Sequence, residues 1–183
     1  MSVATTVATT TTLAPTTTAA PTTTTSACAP QKGTAAVNVH YPNLMSSDVG
    51  KDVRTGPHAC FDRLVIELQN GPNPIPGGLP GYFVRYITGT SVHLDPSDQV
   101  VTIKGSAVLL VSMGVWMQSM DGSGYKGSQD FVPTNVTSIK ELRLTEDFEG
   151  QSTWAVGLDA KRNFTVSTLT GPDRLVVDIQ TLP

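Results

Sequence analysis

Metal chemistry in this chain would have to start from its histidines and cysteines. There are three histidines, His40, His58 and His93, and two cysteines, Cys28 and Cys60. Only His58 and Cys60 lie close together in sequence, and the set contains no standard ligand spacing of a zinc site. We therefore expect no bound metal, and we interpret the histidines as surface or hydrogen-bonded residues.

Residues for covalent or acid–base catalysis are also sparse. No Gly-x-Ser-x-Gly motif is present, and no thiol remains free if the two cysteines form a disulfide. The acids Glu146, Asp147 and Glu149 have the chemistry for glycoside hydrolysis, but they lie in a predicted turn between strands, where solvated acids are common. The Gly-rich segment 121–124 lacks the strand and helix that flank a phosphate loop. We expect a protein that is not an enzyme and uses no cofactor.

Sugar binding has better candidates, because exposed aromatic rings stack on sugar faces while Arg and Asp side chains hydrogen-bond around them. Five residues near the predicted strands fit this description and are our candidate ligand-binding set: Arg54, Asp62, Tyr82, Arg85 and Tyr86. An alternative interpretation is structural, since Asp62 and Arg63 point to opposite faces of one strand and can pair with Arg54, Arg174 or Asp178.

Other aromatic residues are dispersed along the chain. Trp116 and Tyr125 are further candidates for an exposed binding face. Trp154 lies in an alternating apolar segment, and both it and Tyr86 can instead belong to the core.

The cysteines favour one disulfide between Cys28 and Cys60, although two unrelated thiols are the alternative. The bond would close a loop of about 30 residues and stabilise the fold by roughly 3 to 4 kcal/mol. It would require an oxidising compartment. Lipid attachment at Cys28 is a weaker interpretation, because Thr25 is not apolar and no hydrophobic segment precedes it.

Composition divides the chain of 183 residues into parts. Residues 1–27 are almost entirely Thr, Ala, Pro, Ser and Val, which predicts a disordered low-complexity leader or spacer. Residues 28–52 are polar and punctuated by Gly and Pro, which predicts a strap that the disulfide ties to the domain. Residues 53–183 form the predicted β domain.

Charge and hydropathy exclude two partner classes. The net charge is −3, and the 12 Lys and Arg residues are scattered, so no electrostatic footprint for nucleic acid exists. No apolar run reaches the length of a membrane span, and no export signal is visible in this sequence.

Strand patterns dominate the domain. β-rich or alternating segments occupy residues 61–68, 82–87, 100–103, 107–113, 138–144, 153–158, 164–169 and 174–179. Segment 107–113 is apolar on both faces and predicts a central strand, and the short turn before it predicts a hairpin with 100–103. Segment 118–138 predicts a long loop. Together these features predict an all-β fold, an antiparallel β-sandwich or partly closed barrel of seven to nine strands with few or no helices.

The first and last strong strands share one template. Arg63–Leu68 and Arg174–Ile179 each begin with a basic residue, continue with apolar residues interrupted by one acid, and end with an aliphatic residue. This repetition predicts a pseudo-symmetric pair of sheets.

Four segments together resemble a known family. The runs VRTGPHACFDRLVI at 53–66, PGYFVRY at 80–86, DFEG at 147–150 and RLVVDI at 174–179 resemble the AMIN-like domain of actinobacterial exported proteins and lipoproteins. The resemblance covers about residues 52–180. That family is similar to the AMIN domain of N-acetylmuramoyl-L-alanine amidases, a β-sandwich that binds peptidoglycan and so localises its carrier.

The resemblance implies an extracytoplasmic location, secreted or associated with the cell envelope. It implies a non-catalytic module that recognises peptidoglycan or another wall glycan. No catalytic module follows the domain in this sequence, which departs from the amidase pattern. The alternative is an envelope protein-interaction or scaffolding module, in which an exposed sheet face or edge contacts a partner protein.

Overall fold

The computed structural model describes residue 1, residues 28–75 and residues 78–181. The leader predicted at 1–27 therefore lies outside the described residues apart from Met1. The described residues form twelve strands and no helix: β1 (Val37–Val39), β2 (Val49–Pro57), β3 (Phe61–Gln69), β4 (Tyr82–Tyr86), β5 (Ser91–Leu94), β6 (Gln99–Thr102), β7 (Ala107–Met113), β8 (Asp130–Phe131), β9 (Ile139–Phe148), β10 (Gln151–Leu158), β11 (Phe164–Leu169) and β12 (Arg174–Gln180).

These strands form three antiparallel sheets, none of them closed into a barrel. A six-stranded sheet has the order β1-β4-β7-β10-β9-β8, a four-stranded sheet the order β11-β12-β3-β2, and β5 pairs with β6. The predicted all-β sandwich is confirmed, with more strands than the seven to nine expected. The additional strands are short or rich in polar residues, which weakens the alternating signal that a sequence pattern relies on.

One apolar core lies between the two larger sheets. It contains Leu64 and Ile66 of the four-stranded sheet together with Val111, Trp154 and other side chains of the six-stranded sheet, all essentially without solvent exposure. Inward side chains alternate with outward ones along each strand, as the period of a β-strand requires. The face of the six-stranded sheet that points away from this core is consequently available for other contacts.

The predicted hairpin of segments 100–103 and 107–113 is wrong, although both segments are strands. Strand β6 pairs only with β5, whereas β7 lies between β4 and β10 and is central, as predicted. The turn between them is held by other elements: Lys104 N–H donates to Glu141 Oε2 at 2.8 Å, and Ser106 N–H donates to the Leu158 carbonyl at 2.7 Å. These bonds direct the chain from one sheet to the other at this turn.

The two strands with the shared template do not belong to two related sheets, which corrects the predicted sheet pair. Strands β3 and β12 are antiparallel neighbours in one sheet, with Arg63 opposite Asp178 and Glu67 opposite Arg174. Because the template runs from base to acid, antiparallel pairing places each base opposite an acid. The two strands are therefore electrostatically complementary.

The predicted disulfide between Cys28 and Cys60 is present, with a Cα–Cα distance of 5.5 Å. It links the beginning of the described segment 28–75 to the turn before β3. Within the segment 28–52, the residues Val37–Val39 form β1, and β2 begins at Val49. In the described part of the chain no helix is long and apolar enough to cross a membrane.

Candidate functional site

A row of four side chains crosses the outer face of the six-stranded sheet. Strand pairing aligns Phe83 with Ser112, Ser112 with Thr153, and Thr153 with Glu146. Thr153 Oγ1 donates to Glu146 Oε2 at 2.7 Å and lies 2.8 Å from Ser112 Oγ. Since the Thr153 proton is used on Glu146, the Ser112 hydroxyl donates to Thr153, and the lone pairs of Ser112 remain available to accept.

A β-bulge and a hairpin build one wall over this row. The pairing of β9 with β10 shifts register between Thr153 and Trp154, which leaves Thr145 as the extra residue of the bulge. The Thr145 carbonyl accepts a hydrogen bond from Asp95 N–H at 2.8 Å, which fastens the end of β5 to β9. A small second core that includes Val92 and Ala155 packs the β5–β6 hairpin onto the sheet.

The space between the hairpin and the row is a cleft of about 320 Å³. We call it the sheet cleft and define it by six of its lining residues: Tyr41, Phe83, Arg85, Ser112, Glu146 and Thr153. Ser112 and Thr153 form a polar floor, since both are buried although they carry hydroxyl groups. Two aromatic rings and two opposite charges stand around that floor.

Tyr41 lines the sheet cleft together with the charged residues Arg85 and Glu146. Burial raises the pKa of its hydroxyl, the negative charge of Glu146 raises the pKa further, and the positive charge of Arg85 opposes that rise. The hydroxyl therefore remains protonated at neutral pH and donates to Gln151 Oε1 at 2.6 Å. Arg85 and Glu146 line the same cleft as this hydroxyl.

Aromatic surface is concentrated at the Arg85 end of the cleft. The ring of Tyr41 lies 6.4 Å from the ring of Phe83, in a tilted arrangement. The guanidinium carbon of Arg85 lies 5.3 Å from the centre of the Phe83 ring, within the range of a cation–π contact. The contact orients Arg85 over Phe83.

A second cleft continues from the sheet cleft on its acidic side. It measures about 420 Å³ and shares Asp95, Thr145 and Glu146 with the sheet cleft. Asp147 also lines it, and burial raises the pKa of this carboxyl while hydrogen bonds from the amides of Met117 and Gln118 oppose the rise. We call the two clefts together the groove: Arg85 lines the sheet cleft, and Asp95 and Glu146 line both clefts.

Residue types of a Ser-His-Asp triad occur in the sheet cleft without the geometry of a triad. His93 lines the cleft, and its Nδ1 lies 2.6 Å from Asp98 Oδ1. Among the described residues, however, Ser112 is hydrogen-bonded to Thr153, and His93 makes no bond to it. Activation of a serine requires a base within hydrogen-bond reach. His93 and Ser112 are therefore not arranged as the base and nucleophile of a triad.

The structure does not bring the five predicted ligand residues together. Asp62 is 2% exposed, and its Oδ2 accepts hydrogen bonds from the amides and hydroxyls of Thr137 and Ser138. Arg54 pairs with Asp52 at 2.8 Å and with Glu67 at 2.9 Å on the four-stranded sheet. Both residues therefore make structural contacts, but with other partners than the alternative interpretation named; the pair it named that does form is Arg63 with Asp178.

Strand β4 divides the other three predicted residues between its two faces. Tyr82 and Tyr86 pack against the core, whereas Arg85 lines the sheet cleft. The Tyr86 hydroxyl donates to the Arg162 carbonyl at 2.7 Å and accepts from the Arg162 amide at 2.9 Å. Burial raises the pKa of both tyrosines. Of the five predicted residues, Arg85 alone lines the sheet cleft.

The remaining aromatic candidates are likewise divided, two in the core and one at a cleft. Trp154 and Tyr125 are buried and make an edge contact at 5.7 Å, so Trp154 belongs to the core as the alternating pattern indicated. Trp116 is half-buried and lines another cleft, of about 520 Å³, together with Met45, Asn70 and Ser123. We call this the Trp116 cleft.

Sequence reasoning missed most of the sheet cleft, namely Tyr41, Phe83, Ser112 and Thr153, and assigned Glu146 to a solvated turn. A signal was present, because Ser112 and Thr153 are polar residues within otherwise apolar strands. Neither residue reveals its neighbour, since the partner of each is set by strand order and register. No group of three or more potential metal ligands occurs among the described residues.

Comparisons with known proteins agree with this architecture at the level of the family. No curated protein matches the chain, and no solved structure matches it. A family model for the AMIN-like domain matches residues 48–181, which extend from the residue before β2 to just beyond β12. AMIN-like domains are non-catalytic modules, and this match suggests binding related to the cell wall. Together with the disulfide it also suggests an extracytoplasmic location. Since the match covers most of the chain, the protein belongs to the AMIN-like domain family.

Proposed function

We propose that this protein is a non-catalytic module of the cell envelope that binds peptidoglycan or another wall glycan in the sheet cleft. The observation that carries the proposal is the pair of rings, Tyr41 and Phe83, beside the hydroxyl groups of Ser112 and Thr153. A sugar has an apolar face that stacks on aromatic rings and hydroxyl groups that exchange hydrogen bonds with a polar floor.

Several features support binding without turnover. The Ser112 hydroxyl is engaged by Thr153, and Glu146 Oε2 accepts the proton of Thr153. Both oxygens of Asp147 accept backbone amide hydrogens, at 2.8 and 2.9 Å. These bonds hold the polar groups in place, as a rigid binding site requires.

The test is co-sedimentation of the full chain with purified actinobacterial sacculi. We expect saturable binding that weakens at least tenfold in the double variant Tyr41→Ala, Phe83→Ala. The control is Trp116→Ala, which removes a ring from a different cleft, and thermal unfolding checks that each variant is folded. Absence of binding by the unaltered protein at tens of micromolar would contradict the proposal.

A second candidate function is contact with an envelope protein through the end of the sandwich that carries the Trp116 cleft. The large apolar side chain of Met45 is 47% exposed there, beside the half-buried Trp116. Phe148, 43% exposed, ends β9 close in sequence to Gly150, which lines the same cleft. Apolar patches of this kind mark protein interfaces. If Trp116→Ala abolished retention in the envelope while sacculus binding was unchanged, this alternative would replace the first.

A further inference from the structure

Arg85 differs from most other arginines of the domain in having no carboxylate partner. Arg54, Arg63, Arg143 and Arg162 each form a salt bridge within the described residues. Over the same residues Arg85 forms none, and its guanidinium lies over the Phe83 ring instead. Arg174 is likewise without a carboxylate, but it is on the other sheet and donates to the Pro172 carbonyl. Arg85 is therefore an unneutralised cation inside a cleft.

The acidic side chains of the groove have the complementary property. In the described part of the chain, neither Glu146 nor Asp95 forms a salt bridge with a basic side chain. Thr153 occupies one oxygen of Glu146, and no donor among residues 28–75 and 78–181 binds the other, Oε1. Both carboxylates line the sheet cleft and its acidic continuation. A ligand that supplies an ammonium group here would form a charge-assisted hydrogen bond.

The spacing of the strands that carry these charges indicates the size of the ligand. Arg85 is on β4 and Glu146 is on β9, with β7 and β10 between them. Three strand spacings place the two backbones about 14 Å apart. An extended peptide of several residues has the length to lie across strands at this spacing.

We propose that the groove selects wall material that bears peptide stems, with a stem carboxylate bound by Arg85 and a stem ammonium group bound by Glu146 and Asp95. This inference rests on the proposed function and specifies its ligand as a zwitterionic peptide-bearing glycan rather than a bare sugar chain. The aromatic pair binds the sugar, and the charged groups distinguish glycans that bear a zwitterionic peptide from glycans that do not.

The experiment compares three soluble probes by isothermal titration calorimetry with the full chain. The first probe is a muramyl disaccharide–peptide with a free side-chain amine, the second is the same compound after N-acetylation of that amine, and the third is the disaccharide without peptide. We expect affinity to fall at least tenfold from the first probe to the second and further for the third. The change should shrink at high salt, because the contacts are between charges.

Substitutions of the charged residues test which of them binds which group of the ligand. The double variant Asp95→Asn, Glu146→Gln should bind the free-amine and acetylated probes equally, and Arg85→Gln should weaken binding of both. Controls outside the groove are Arg174→Gln and Glu149→Gln, for which the tenfold preference should persist. Equal affinity of unaltered protein for all three probes would overturn the peptide selectivity and leave the glycan-binding function intact. Failure of all three probes and of sacculi to bind would overturn both.

Discussion

Arg63 and Asp178 face each other across the β3–β12 pair, and the Arg63 guanidinium donates from Nε and Nη2 to the two oxygens of Asp178 at 2.7 and 2.9 Å. Two parallel hydrogen bonds of this kind require the planar fork of arginine. We expect Arg63→Lys to reduce the free energy of unfolding by about 1 kcal/mol, because lysine keeps the charge and loses the fork. Urea denaturation at pH 7 measures the change.

Arg174 provides the matched control for that substitution. It has the equivalent position in the template on β12, but its guanidinium donates to the Pro172 carbonyl at 3.1 Å. Arg174→Lys should therefore change stability by less than about 0.5 kcal/mol. Similar losses in the two variants would show that the paired geometry at Arg63 contributes nothing measurable.

Asp62 anchors the loop before β9 to β3. Its Oδ2 accepts from the Ser138 amide at 2.6 Å and from the Ser138 hydroxyl at 2.7 Å, in a fully buried environment. We expect Asp62→Ala to cost about 3 kcal/mol, because it leaves buried donors without an acceptor. Hydrogen exchange of the Ser138 amide should accelerate more than exchange in β7. The exposed-site comparison is Asp52→Ala, and an equally small effect of both changes would refute the anchoring role.

Asp159 makes stability depend on pH in a predictable direction. The hydrogen bonds from Arg162 lower the pKa of the Asp159 carboxyl, with the positive charge of Arg162 acting in the same direction. A carboxyl with a lowered folded-state pKa contributes stability above its unfolded pKa of about 4 and loses that contribution as pH falls through the folded pKa.

We therefore expect Asp159→Asn to be less stable than the unaltered protein at pH 6 and to approach it as pH falls toward about 3. Urea midpoints measured between these pH values give the comparison. If the urea midpoints of the two proteins differ by the same amount at every pH, the assigned contribution of Asp159 would be contradicted.

Gly157 lies where β10 passes beneath the turn that follows β6. A Cβ at this position would collide with the Lys104 carbonyl and approach Ile103 Cγ2 to 2.7 Å. We expect Gly157→Ala to cost about 2 kcal/mol, because backbone atoms must move. Gly56 in β2 is the matched control, since a Cβ there meets nothing within 4 Å. Gly56→Ala should be neutral or slightly stabilising, and equal midpoints for the two variants would be inconsistent with the close approach.

Reduction of the Cys28–Cys60 disulfide should destabilise the domain. The cysteines are 32 positions apart, and closure of such a loop is worth about 3 to 4 kcal/mol in the chain-entropy model. Urea denaturation with and without reductant measures the difference. The double variant Cys28→Ser, Cys60→Ser should be insensitive to reductant, and any remaining sensitivity would point to an effect other than the disulfide.

The local sequence pattern was sufficient to predict the fold class and the positions of most strands. Alternation along 164–169 and the apolar run 107–113 correspond to β11 and β7. The pairing of these strands was less predictable, because pairing depends on residues far apart in sequence. The hairpin expected around Gly105 illustrates this limit, since contacts from Glu141 and Leu158 determine the path of that turn.

The candidate site was harder to predict than the fold for the same reason. Phe83, Ser112 and Thr153 are adjacent only because β4, β7 and β10 are neighbours in a particular register. The expectation that Tyr82 and Tyr86 were exposed depended on choosing the correct face of β4. Val84 is fully buried on the same face as these tyrosines, so the opposite face, with Phe83 and Arg85, is the one that borders the cleft.

The β3–β12 pairing also has a consequence for the order of folding. Arg63 and Asp178 are separated by 115 positions, so the four-stranded sheet is completed only when β12 is available. Contacts this distant in sequence slow folding, because a long loop must close first. During synthesis the β2–β3 hairpin alone lacks the β12 strand that its sheet requires. The four-stranded sheet therefore cannot form completely until β4 to β11 have been synthesised and β12 has followed them.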